Sequence, residues 1–355
     1  MLATDGTTLE GQLLCRVRIA PASQPRSLFD GIDVMNLRQI GSTDIQVSAV
    51  ALGCWPIAGM TSPGVNDTDS LATIEACFDE GINFLDTAYS YGTQGESERL
   101  IARAVSTCRD KVVIATKGGL HWTDDRKMVK DGRPETLRRE CEESLLRLGT
   151  DRVELLYLHA PDPEVPVAES AGELARLLEE GKTRSVGVSN VDLDQLEQFA
   201  AACPLSAYQP PYNMIQRDIE ADVLPWCREN NVSVMVYWPL MKGLLAGKLR
   251  RAHKFAEGDS RNKYSQFKGE EWEKNQTLVD ELREIAAQTG HTVAQLVVNW
   301  TIHQPGITAA LCGAKRPDQL RDNAGALGWQ LSTEQADAIA AALARRGKPA
   351  EMKAV

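Results

Sequence analysis

The feature that most constrains the fold of this chain is a regular alternation of strand-length apolar runs with amphipathic helical stretches. From Met35 onward this alternation occurs eight times. Strands that alternate strictly with helices predict a parallel sheet, and eight such units over roughly 300 residues predict an α/β fold of the (β/α)8 TIM-barrel type. The eight predicted strands are Val47–Gly53, Asn83–Ala88, Val112–Lys117, Val153–His159, Ser185–Ser189, Ala207–Pro210, Ser233–Trp238 and Ile307–Cys312.

The helical stretches between these strands support the same architecture. Pro134–Gly149 is the clearest, with proline at its start and glycine at its end, and Val167–Gly181 and Leu193–Cys203 behave likewise. An open, doubly wound sheet is the alternative, but no Gly-x-Gly-x-x-Gly motif follows the first strand. An alanine-rich run at Thr333–Arg346, preceded by Ser332 as N-cap, predicts an extra C-terminal helix.

The sequence contains no linker that would split the barrel, so we expect a single domain over residues 35–347. Residues 1–34 differ from the rest, because the stretch 21–27 is rich in turn-forming residues and lacks periodicity. We expect a disordered N-terminal extension there, or an upstream start codon with Met35 as the true start. Residues 348–355 are expected to form a short C-terminal tail.

Charge and cysteine content argue against several classes of function. The formal net charge of -10 disfavours a nucleic-acid partner, because phosphate binding requires a basic surface. No apolar run approaches the roughly 20 residues of a membrane span, so we expect no membrane association. The eight cysteines are scattered without a Cys-x-x-Cys pair, so we expect no metal site. No secretory signal is evident, and the expectation is a cytoplasmic protein with reduced thiols.

Polar residues close several of the apolar strands, and in a barrel of this type the reactive strand ends lie on one face. Asp86 ends the second strand and Tyr91 follows it, while Lys117 and His159 end the third and fourth. Burying Asp86 and Lys117 is costly unless they pair, and adjacent strands make that pair natural. Each residue alone has a structural explanation, such as an ion pair at the barrel mouth or a core histidine. Together they indicate a catalytic site.

These four side chains suit the reduction of a carbonyl group. Tyrosine has an ordinary pKa of about 10, and a nearby Lys117 ammonium would lower the pKa of Tyr91 and let it act as general acid. Asp86 would hold the lysine in place, and His159 would orient the substrate oxygen. A hydride must come from a cofactor, because no side chain supplies one.

Short motifs recur in order along the chain, at residues 41–48, 53–56, 86–92, 115–118, 158–163, 187–190, 208–213, 237–240 and 313–323. They include Asp86-Thr-Ala-Tyr-Ser-Tyr-Gly92, Ala115-Thr-Lys-Gly118 and Leu158-His-Ala-Pro-Asp-Pro163. In these motifs the chain resembles the aldo-keto reductases, over about residues 36–327. Each motif alone is weak evidence, but the ordered set at barrel spacing is highly specific.

The resemblance implies a (β/α)8 barrel that binds NADP(H) across its mouth. It also implies an active enzyme, because the family's catalytic tetrad falls on the four residues discussed above. By the same resemblance, Ser189, Asn190 and Gln209 bind the nicotinamide amide, and Tyr237 stacks on the nicotinamide ring. The other cofactor contacts that it implies are Pro239, Leu240, Gly243, Leu244, Lys248, Gly313, Ala314, Lys315, Arg316, Gln319 and Asn323.

Basic residues near the C-terminal helices bear on the choice of cofactor. Lys315 and Arg316 beside a helix N-terminus predict an anion site for a 2′-phosphate, which favours NADP(H). Many members of the family carry arginine where Gln319 stands, so NAD(H) stays the alternative. Segment 241–268 holds eight Lys or Arg against two acidic residues, and we interpret it as an electrostatic lid over the cofactor rather than a solvated loop.

Trp55 and Trp122 follow the first and third strands and are expected to line the substrate pocket. Aromatic walls suit hydrophobic carbonyl compounds, and sugars also stack on tryptophan. We therefore expect an NADP(H)-dependent oxidoreductase that reduces a small-molecule aldehyde or ketone. Two alternatives stay open: an oxidative sugar or alcohol dehydrogenase using NAD(P), and a cofactor-sensing regulatory subunit with little turnover. The sequence predicts neither the physiological substrate nor the oligomeric state.

Overall fold

Twelve strands lie in the part of the chain that the computed structural model describes, residues 37–59 and 64–350. They are β1 (Leu37–Gln39), β2 (Gln46–Ser48), β3 (Val50–Gly53), β4 (Phe84–Asp86), β5 (Val113–Gly118), β6 (Leu120–Trp122), β7 (Met128–Lys130), β8 (Leu155–Leu158), β9 (Val186–Ser189), β10 (Leu205–Gln209), β11 (Ser233–Tyr237) and β12 (Ile307–Gly313). Eight of these, β3, β4, β5, β8, β9, β10, β11 and β12, pair in parallel in that order and close a barrel. The predicted (β/α)8 TIM barrel is confirmed.

Helices surround the barrel and connect successive strands. They are α1 (Asp67–Asp79), α2 (Glu96–Val105), α3 (Pro134–Leu148), α4 (Val167–Glu179), α5 (Leu193–Ala202), α6 (Val223–Glu229), α7 (Gly269–Thr289), α8 (Val293–Ile302), α9 (Pro317–Ala324) and α10 (Thr333–Arg346). The extra C-terminal helix begins where the sequence predicts, because Ser332 accepts a hydrogen bond from the Gln335 backbone N–H and forms a capping box. Gly149 ends α3 in the left-handed region, at φ 65°.

Two short antiparallel hairpins were not predicted. One pairs β1 with β2, and the other pairs β6 with β7 just beyond the end of β5. The first hairpin shortens the predicted strand Val47–Gly53, because Val47 and Ser48 pair with β1 and only Val50–Gly53 joins the barrel. Three-residue strands carry too few alternations for the sequence pattern to distinguish them from loops.

The hydrophobic core has two layers. The larger layer lies between the strands and the helices, and the smaller fills the inside of the barrel. Ile40, Ile45 and Val47 of the first hairpin belong to the inner layer, where they pack with barrel residues such as Phe84 and Met235. The hairpin therefore seals the amino-terminal end of the barrel, and the carboxyl ends of the strands are left to form the functional face.

The predictions for the chain termini, the cysteines and membrane association can be compared with the described residues. The predicted extension at 1–34 lies outside the described residues, as do residues 351–355 of the predicted tail. The described start of that tail is anchored, because Gln266 Nε2 donates to the Ala350 carbonyl at 3.0 Å. The seven cysteines within the described residues are buried free thiols. No helix in the described ranges is long and apolar enough to cross a membrane.

Candidate active site

The carboxyl ends of β4 and β5 bring Asp86 and Lys117 together. The two strands pair in parallel, with Asp86 opposite Ala115, and both side chains are almost fully buried. Lys117 Nζ donates to Asp86 Oδ2 at 2.8 Å and to the Thr87 carbonyl at 2.7 Å. Because this cation has no contact with bulk water, these partners must compensate its lost hydration.

Tyr91 completes the arrangement from the loop after β4. Lys117 Nζ also donates to Tyr91 Oη, at 3.2 Å, so one ammonium group bridges the carboxylate and the phenol. The loop is closely held, since the Tyr91 N–H donates to the Ala88 carbonyl at 3.0 Å. The structure therefore joins three of the four predicted catalytic residues through direct hydrogen bonds.

The pKa of Tyr91 differs from the expectation that Lys117 lowers it. Burial of the phenol raises the pKa of Tyr91 well above its ordinary value, and the nearby Asp86 carboxylate raises it further. The physical reason is that a phenolate at this position would lose its hydration and face a second negative charge. The phenol accordingly holds its proton at neutral pH, in the form that a general acid requires.

Burial opposes charge on both members of the ion pair as well. It raises the pKa of Asp86 and lowers the pKa of Lys117, while the attraction between the two groups acts against both shifts. Asp86 has a second partner, because Gln209 Nε2 donates to Asp86 Oδ1 at 2.8 Å. Gln209, which the resemblance assigns to the nicotinamide amide, is thus also a hydrogen-bond donor to the Asp86 carboxylate.

His159 lies on the other side of Tyr91, at the end of β8. The two ring centroids are 5.9 Å apart with a steep interplanar angle of 69°. Burial lowers the pKa of His159 well below its ordinary value, and the positive charges of Lys117 and Lys130 lower it further. The imidazole is therefore neutral at physiological pH and can hydrogen-bond a substrate oxygen without carrying charge into the site.

The predicted nicotinamide-binding residues cluster at the ends of β9, β10 and β11. Ser189 Oγ donates to the Gln209 carbonyl at 2.7 Å, and Asn190 Nδ2 donates to the His159 carbonyl at 2.9 Å. Tyr237 Oη donates to Asn190 Oδ1 at 2.7 Å, which fixes the tyrosine ring beside this cluster. Asn190 adopts a positive φ of 60°, a conformation that asparagine tolerates better than most residues.

One tryptophan packs on Tyr91, and two others contact residues near it in the site. Trp55 packs edge-on against the Tyr91 ring with centroids 5.1 Å apart. Trp122, on the unpredicted hairpin, donates from Nε1 to the Ser90 carbonyl at 2.9 Å. Trp238 was not among the predicted site residues, yet it packs edge-on against Tyr237 with centroids 5.2 Å apart. Both predicted pocket residues are half-buried at the mouth of the barrel.

The residues of the predicted phosphate site lie at the N-terminus of α9. Arg316 occupies the N-cap position and is exposed, but it donates through Nε and Nη2 to the two carboxylate oxygens of Asp318. Gln319 Oε1 accepts a hydrogen bond from the Lys315 backbone N–H at 2.9 Å. The arginine available for a 2′-phosphate is therefore already paired with an acidic residue of the same helix.

Lys242 and Arg261 are two cations in the same region as Lys315, and the sequence analysis did not single them out. Lys242 Nζ lies 4.3 Å from the ring centroid of Trp238 and 4.7 Å from that of Tyr264. Burial and the positive charge of Arg261 lower the pKa of Lys242 to about 8. Arg261 also lowers the pKa of Lys315, after burial, so the three cations share one region. In the sequence, Lys242 and Arg261 were marked only as members of the basic segment 241–268, and Lys315 only as part of the motif at 313–323.

The segment 241–268 is less free than a lid model assumes. Lys248 Nζ pairs with Asp322 Oδ2 at 3.0 Å on α9. Arg251 pairs with Glu273 at 2.5 Å and Asp280 at 3.0 Å, both on α7. These two basic residues therefore hold the segment against the neighbouring helices.

The remaining predicted cofactor residues fall into two groups. Leu244, Ala314 and Asn323 are buried, and so is Pro239, just after β11. The others, Leu240, Gly243 and Gly313, are partly or fully exposed.

The donor set fits a nicotinamide dinucleotide. Serine and amide side chains lie at one end, next to the four predicted catalytic residues, and suit a carboxamide. A half-buried tyrosine ring offers a stacking surface, and the Lys242, Arg261 and Lys315 cations lie toward the other end, where phosphates need positive charge.

Comparison with known proteins yields one consistent result. The model of the aldo/keto reductase family matches residues 49–344. The aldo-keto reductase YhdN of Bacillus subtilis (strain 168) is 37% identical over 303 residues, which cover 84% of this chain and 91% of that protein. The NADH-specific methylglyoxal reductase of Escherichia coli (strain K12) is 33% identical over 314 residues, covering 84% of this chain and 95% of that protein.

Solved structures agree with these sequence matches. The glycerol dehydrogenase of Gluconobacter oxydans superposes with a TM-score of 0.83 at 37% identity, covering 91% of this chain and 99% of that chain. An aldo/keto reductase from Klebsiella pneumoniae, solved in complex with NADP and acetate, gives a TM-score of 0.67 at 28% identity and covers 90% of this chain and 98% of that chain.

Proposed function

Because the chain belongs to the aldo/keto reductase family of oxidoreductases, we propose that it reduces an aldehyde or ketone to an alcohol with NADP(H), using Tyr91 as general acid. The observation that carries this proposal is the shared ammonium group of Lys117. It donates both to Asp86 and to the Tyr91 phenol, at 2.8 and 3.2 Å. This is the arrangement that a tyrosine needs in order to lose its proton during the reaction and regain it afterwards.

The side chains divide the work of carbonyl reduction. When bound, NADPH supplies the hydride that no side chain can provide. Tyr91 gives its phenolic proton to the substrate oxygen, and its raised pKa keeps that proton in place beforehand. Lys117 stabilises the phenolate as it forms, which Asp86 makes possible by holding the ammonium. The neutral His159 donates a hydrogen bond to the same substrate oxygen and orients it.

The same groups can run the reaction in the oxidative direction. A phenolate at Tyr91 would take the proton of an alcohol as its hydride leaves. The structural match to a glycerol dehydrogenase at 37% identity favours this as the second candidate function. Measuring both directions on the same substrate pair distinguishes a preferred direction from a reversible reaction.

Cofactor choice depends on charges that partly cancel. Lys242, Lys315 and Arg316 favour NADP(H), since a 2′-phosphate needs cations. Asp318 opposes it by pairing with Arg316, and a relative named NADH-specific is 33% identical. We propose a preference for NADP(H) with measurable use of NAD(H). Asp318→Asn should increase the preference by freeing Arg316, and Arg316→Ala should reduce it; kcat/KM with each cofactor gives the ratio.

The basic segment 241–268 is proposed to contribute to cofactor binding. Replacing Lys248 and Arg251 with methionine should weaken NADPH binding, measured by quenching of tryptophan fluorescence. Arg184→Met is the matched control, because Arg184 also pairs with a carboxylate, Asp44, but lies at the sealed end of the barrel. Unchanged NADPH affinity in the double variant would reject the proposal that segment 241–268 acts as a lid over the cofactor.

The experiment for the proposed function is a panel of carbonyl compounds followed by NADPH absorbance. It should include a generic aromatic aldehyde, a small dicarbonyl and a triose, with Tyr91→Phe as control. Steady turnover that Tyr91→Phe abolishes supports the reductase. Tight NADPH binding without turnover of any compound would favour the cofactor-sensing regulatory role.

A further inference from the structure

Glu98, on α2, is a fully buried carboxylate that the proposed chemistry does not use. Its Oε1 accepts the Thr116 hydroxyl proton at 2.7 Å, and its Oε2 accepts from Arg147 Nη1, on α3, at 3.2 Å. A buried carboxylate is strongly unfavourable without such partners, so Glu98 depends on Thr116 and Arg147, and the three side chains form one hydrogen-bonded unit. Thr116 immediately precedes Lys117, which places this unit directly behind the catalytic strand β5.

Arg147 extends the unit to the loop that carries Tyr91. Its Nη1 donates to the Tyr89 carbonyl at 3.2 Å, and its guanidinium carbon lies 4.1 Å from the centroid of the Tyr89 ring. The Tyr89 phenol donates in turn to Glu143 Oε2 at 2.7 Å. Gly95 leaves room for the arginine, since a Cβ there would lie only 2.4 Å from Arg147 Cδ. The position of Tyr89 is therefore set by the side chain of Arg147.

The same loop is joined to β5 by its backbone. The Tyr89 N–H donates to the Lys117 carbonyl at 3.0 Å, and the Thr87 N–H donates to the Ala115 carbonyl at 2.8 Å. The loop and the strand are thus joined twice. Backbone hydrogen bonds connect them directly, and Glu98 and Arg147 connect them through Thr116 on the strand and Tyr89 on the loop. Displacing either one changes the distance between the Tyr91 phenol and the Lys117 ammonium.

We propose that Glu98 and Arg147 are positioning residues that fix the Tyr91 phenol against the Lys117 ammonium. The inference rests on the proposed function, in which these two groups move the proton. Neither positioning residue touches the substrate. Glu98 acts on the position of Lys117 through the adjacent Thr116. Arg147 acts on the position of Tyr91 through Tyr89 in the same loop.

The two positioning residues also carry opposite charges, which gives their role a distinctive signature. The ionisable groups around Lys117 and Tyr91 include Cys54 after β3, Asp86 on β4, His159 after β8, Tyr237 on β11 and Glu98 on α2. Arg147 and Glu143, both on α3, lie behind Glu98. Burial lowers the pKa of Lys117, and the carboxylates of Asp86 and Glu98 act against that shift. Neutralising Glu98 removes a negative charge that stabilises the Lys117 ammonium and leaves Arg147 paired with Glu143, so deprotonation of Lys117 is favoured. Neutralising Arg147 has the opposite effect.

The test compares Glu98→Gln, Arg147→Met and the double variant in the full-length protein. We expect kcat to fall by roughly 10- to 100-fold in each single variant, as for a misplaced reacting group. The basic limb of the pH profile of kcat should move down by about half a pH unit or more in Glu98→Gln and up in Arg147→Met. In the double variant it should return close to the wild-type position while kcat stays low. The Kd of NADPH should not change, since its proposed site is on β9 to β12 and α9.

Arg138→Met is the control, because Arg138 also lies on α3 and pairs with Glu173 and Glu180 but contacts neither the loop nor β5. If the single variants do not fold, Thr116→Val and Arg147→Lys test the same bonds more gently, with an expected loss of several-fold in kcat. A control variant with the same losses, or single variants whose pH limbs coincide with the wild type, would overturn the proposal.

Amide hydrogen exchange gives a readout that does not need turnover. In Glu98→Gln the amides of residues 87–92 should exchange about 10-fold faster than in Arg138→Met, because the loop has lost its support. Unchanged exchange would reject the positioning role even if the protein is an active reductase. A wild-type protein that turns over no carbonyl would instead reject the proposed function, and the exchange result would still decide the positioning role.

Discussion

Replacing Lys117 with methionine removes the one cation that joins Asp86 to Tyr91. The methionine side chain is close to lysine in length, so the cavity stays filled while three hydrogen bonds are lost. These are the bonds to Asp86, the Thr87 carbonyl and Tyr91. Gln209 then remains as the hydrogen-bond partner of a carboxylate whose side chain is only 3% exposed.

The size of the effect follows from this burial. Removing one partner of a buried ion pair costs about 3–5 kcal/mol, because the other charge is left uncompensated. For a domain of this size that corresponds to a fall in Tm of about 4–7 °C. Loss of the ammonium beside the forming phenolate should lower kcat by about 1,000-fold, or ~4 kcal/mol in the barrier.

The double variant Asp86→Asn with Lys117→Met separates stability from catalysis. It removes the stranded charge and should recover about 2–3 kcal/mol of the free energy of unfolding, measured by urea denaturation, without recovering kcat. A Lys117→Met protein as stable as wild type would refute the buried ion pair. Recovery of kcat in the double variant would refute the catalytic role of the ammonium.

Three further predictions concern packing, pH and the cofactor end. Gly187→Ala should lower stability by about 2–3 kcal/mol in urea unfolding, because its Cβ would lie 2.4 Å from Cε1 of Tyr157; Gly172→Ala on α4, with no atom within 4 Å, should be harmless. A hydrogen bond from a neighbouring arginine holds the pKa of Asp131 well below its usual range. Asp131→Asn should therefore cost about 1–2 kcal/mol at neutral pH, measured by urea unfolding. This cost should begin to shrink as the pH falls below the ordinary aspartate pKa and disappear only below the lowered pKa of folded Asp131. Burial lowers the pKa of Lys242 to about 8, so the Kd of NADPH should rise as the pH passes that value, and Lys242→Met should remove this dependence in fluorescence titrations.

The barrel could be predicted from the sequence because buried parallel strands are continuous apolar runs. Val186–Ser189 and Ile307–Gly313, for example, lie almost where the pattern places them. The first barrel strand was predicted too long, because only one residue separates β2 of the hairpin from β3. That Asp86 and Lys117 come together could be predicted for a related reason, because charged residues at the ends of apolar strands stand out in the sequence.

The interactions that tune the site were not accessible in the same way. The upward shift in the pKa of Tyr91 depends on burial by distant residues, and the pairing of Arg316 with Asp318 depends on side-chain geometry. The contact between Glu98 and Arg147 joins residues 49 positions apart in the chain. No periodicity marks such contacts, so only the folded structure reveals them.

The most direct test of the account is a single-turnover measurement of Tyr91→Phe. The variant is mixed with saturating NADPH and an aldehyde that the wild type reduces, and NADPH oxidation is followed by stopped flow. The Kd of NADPH, measured separately, should match that of the wild type because the phenol oxygen contacts Lys117 rather than the cofactor residues. We predict a hydride-transfer rate at least about 1,000-fold below wild type at neutral pH. A rate close to wild type with the same Kd would contradict the assignment of Tyr91 as proton donor.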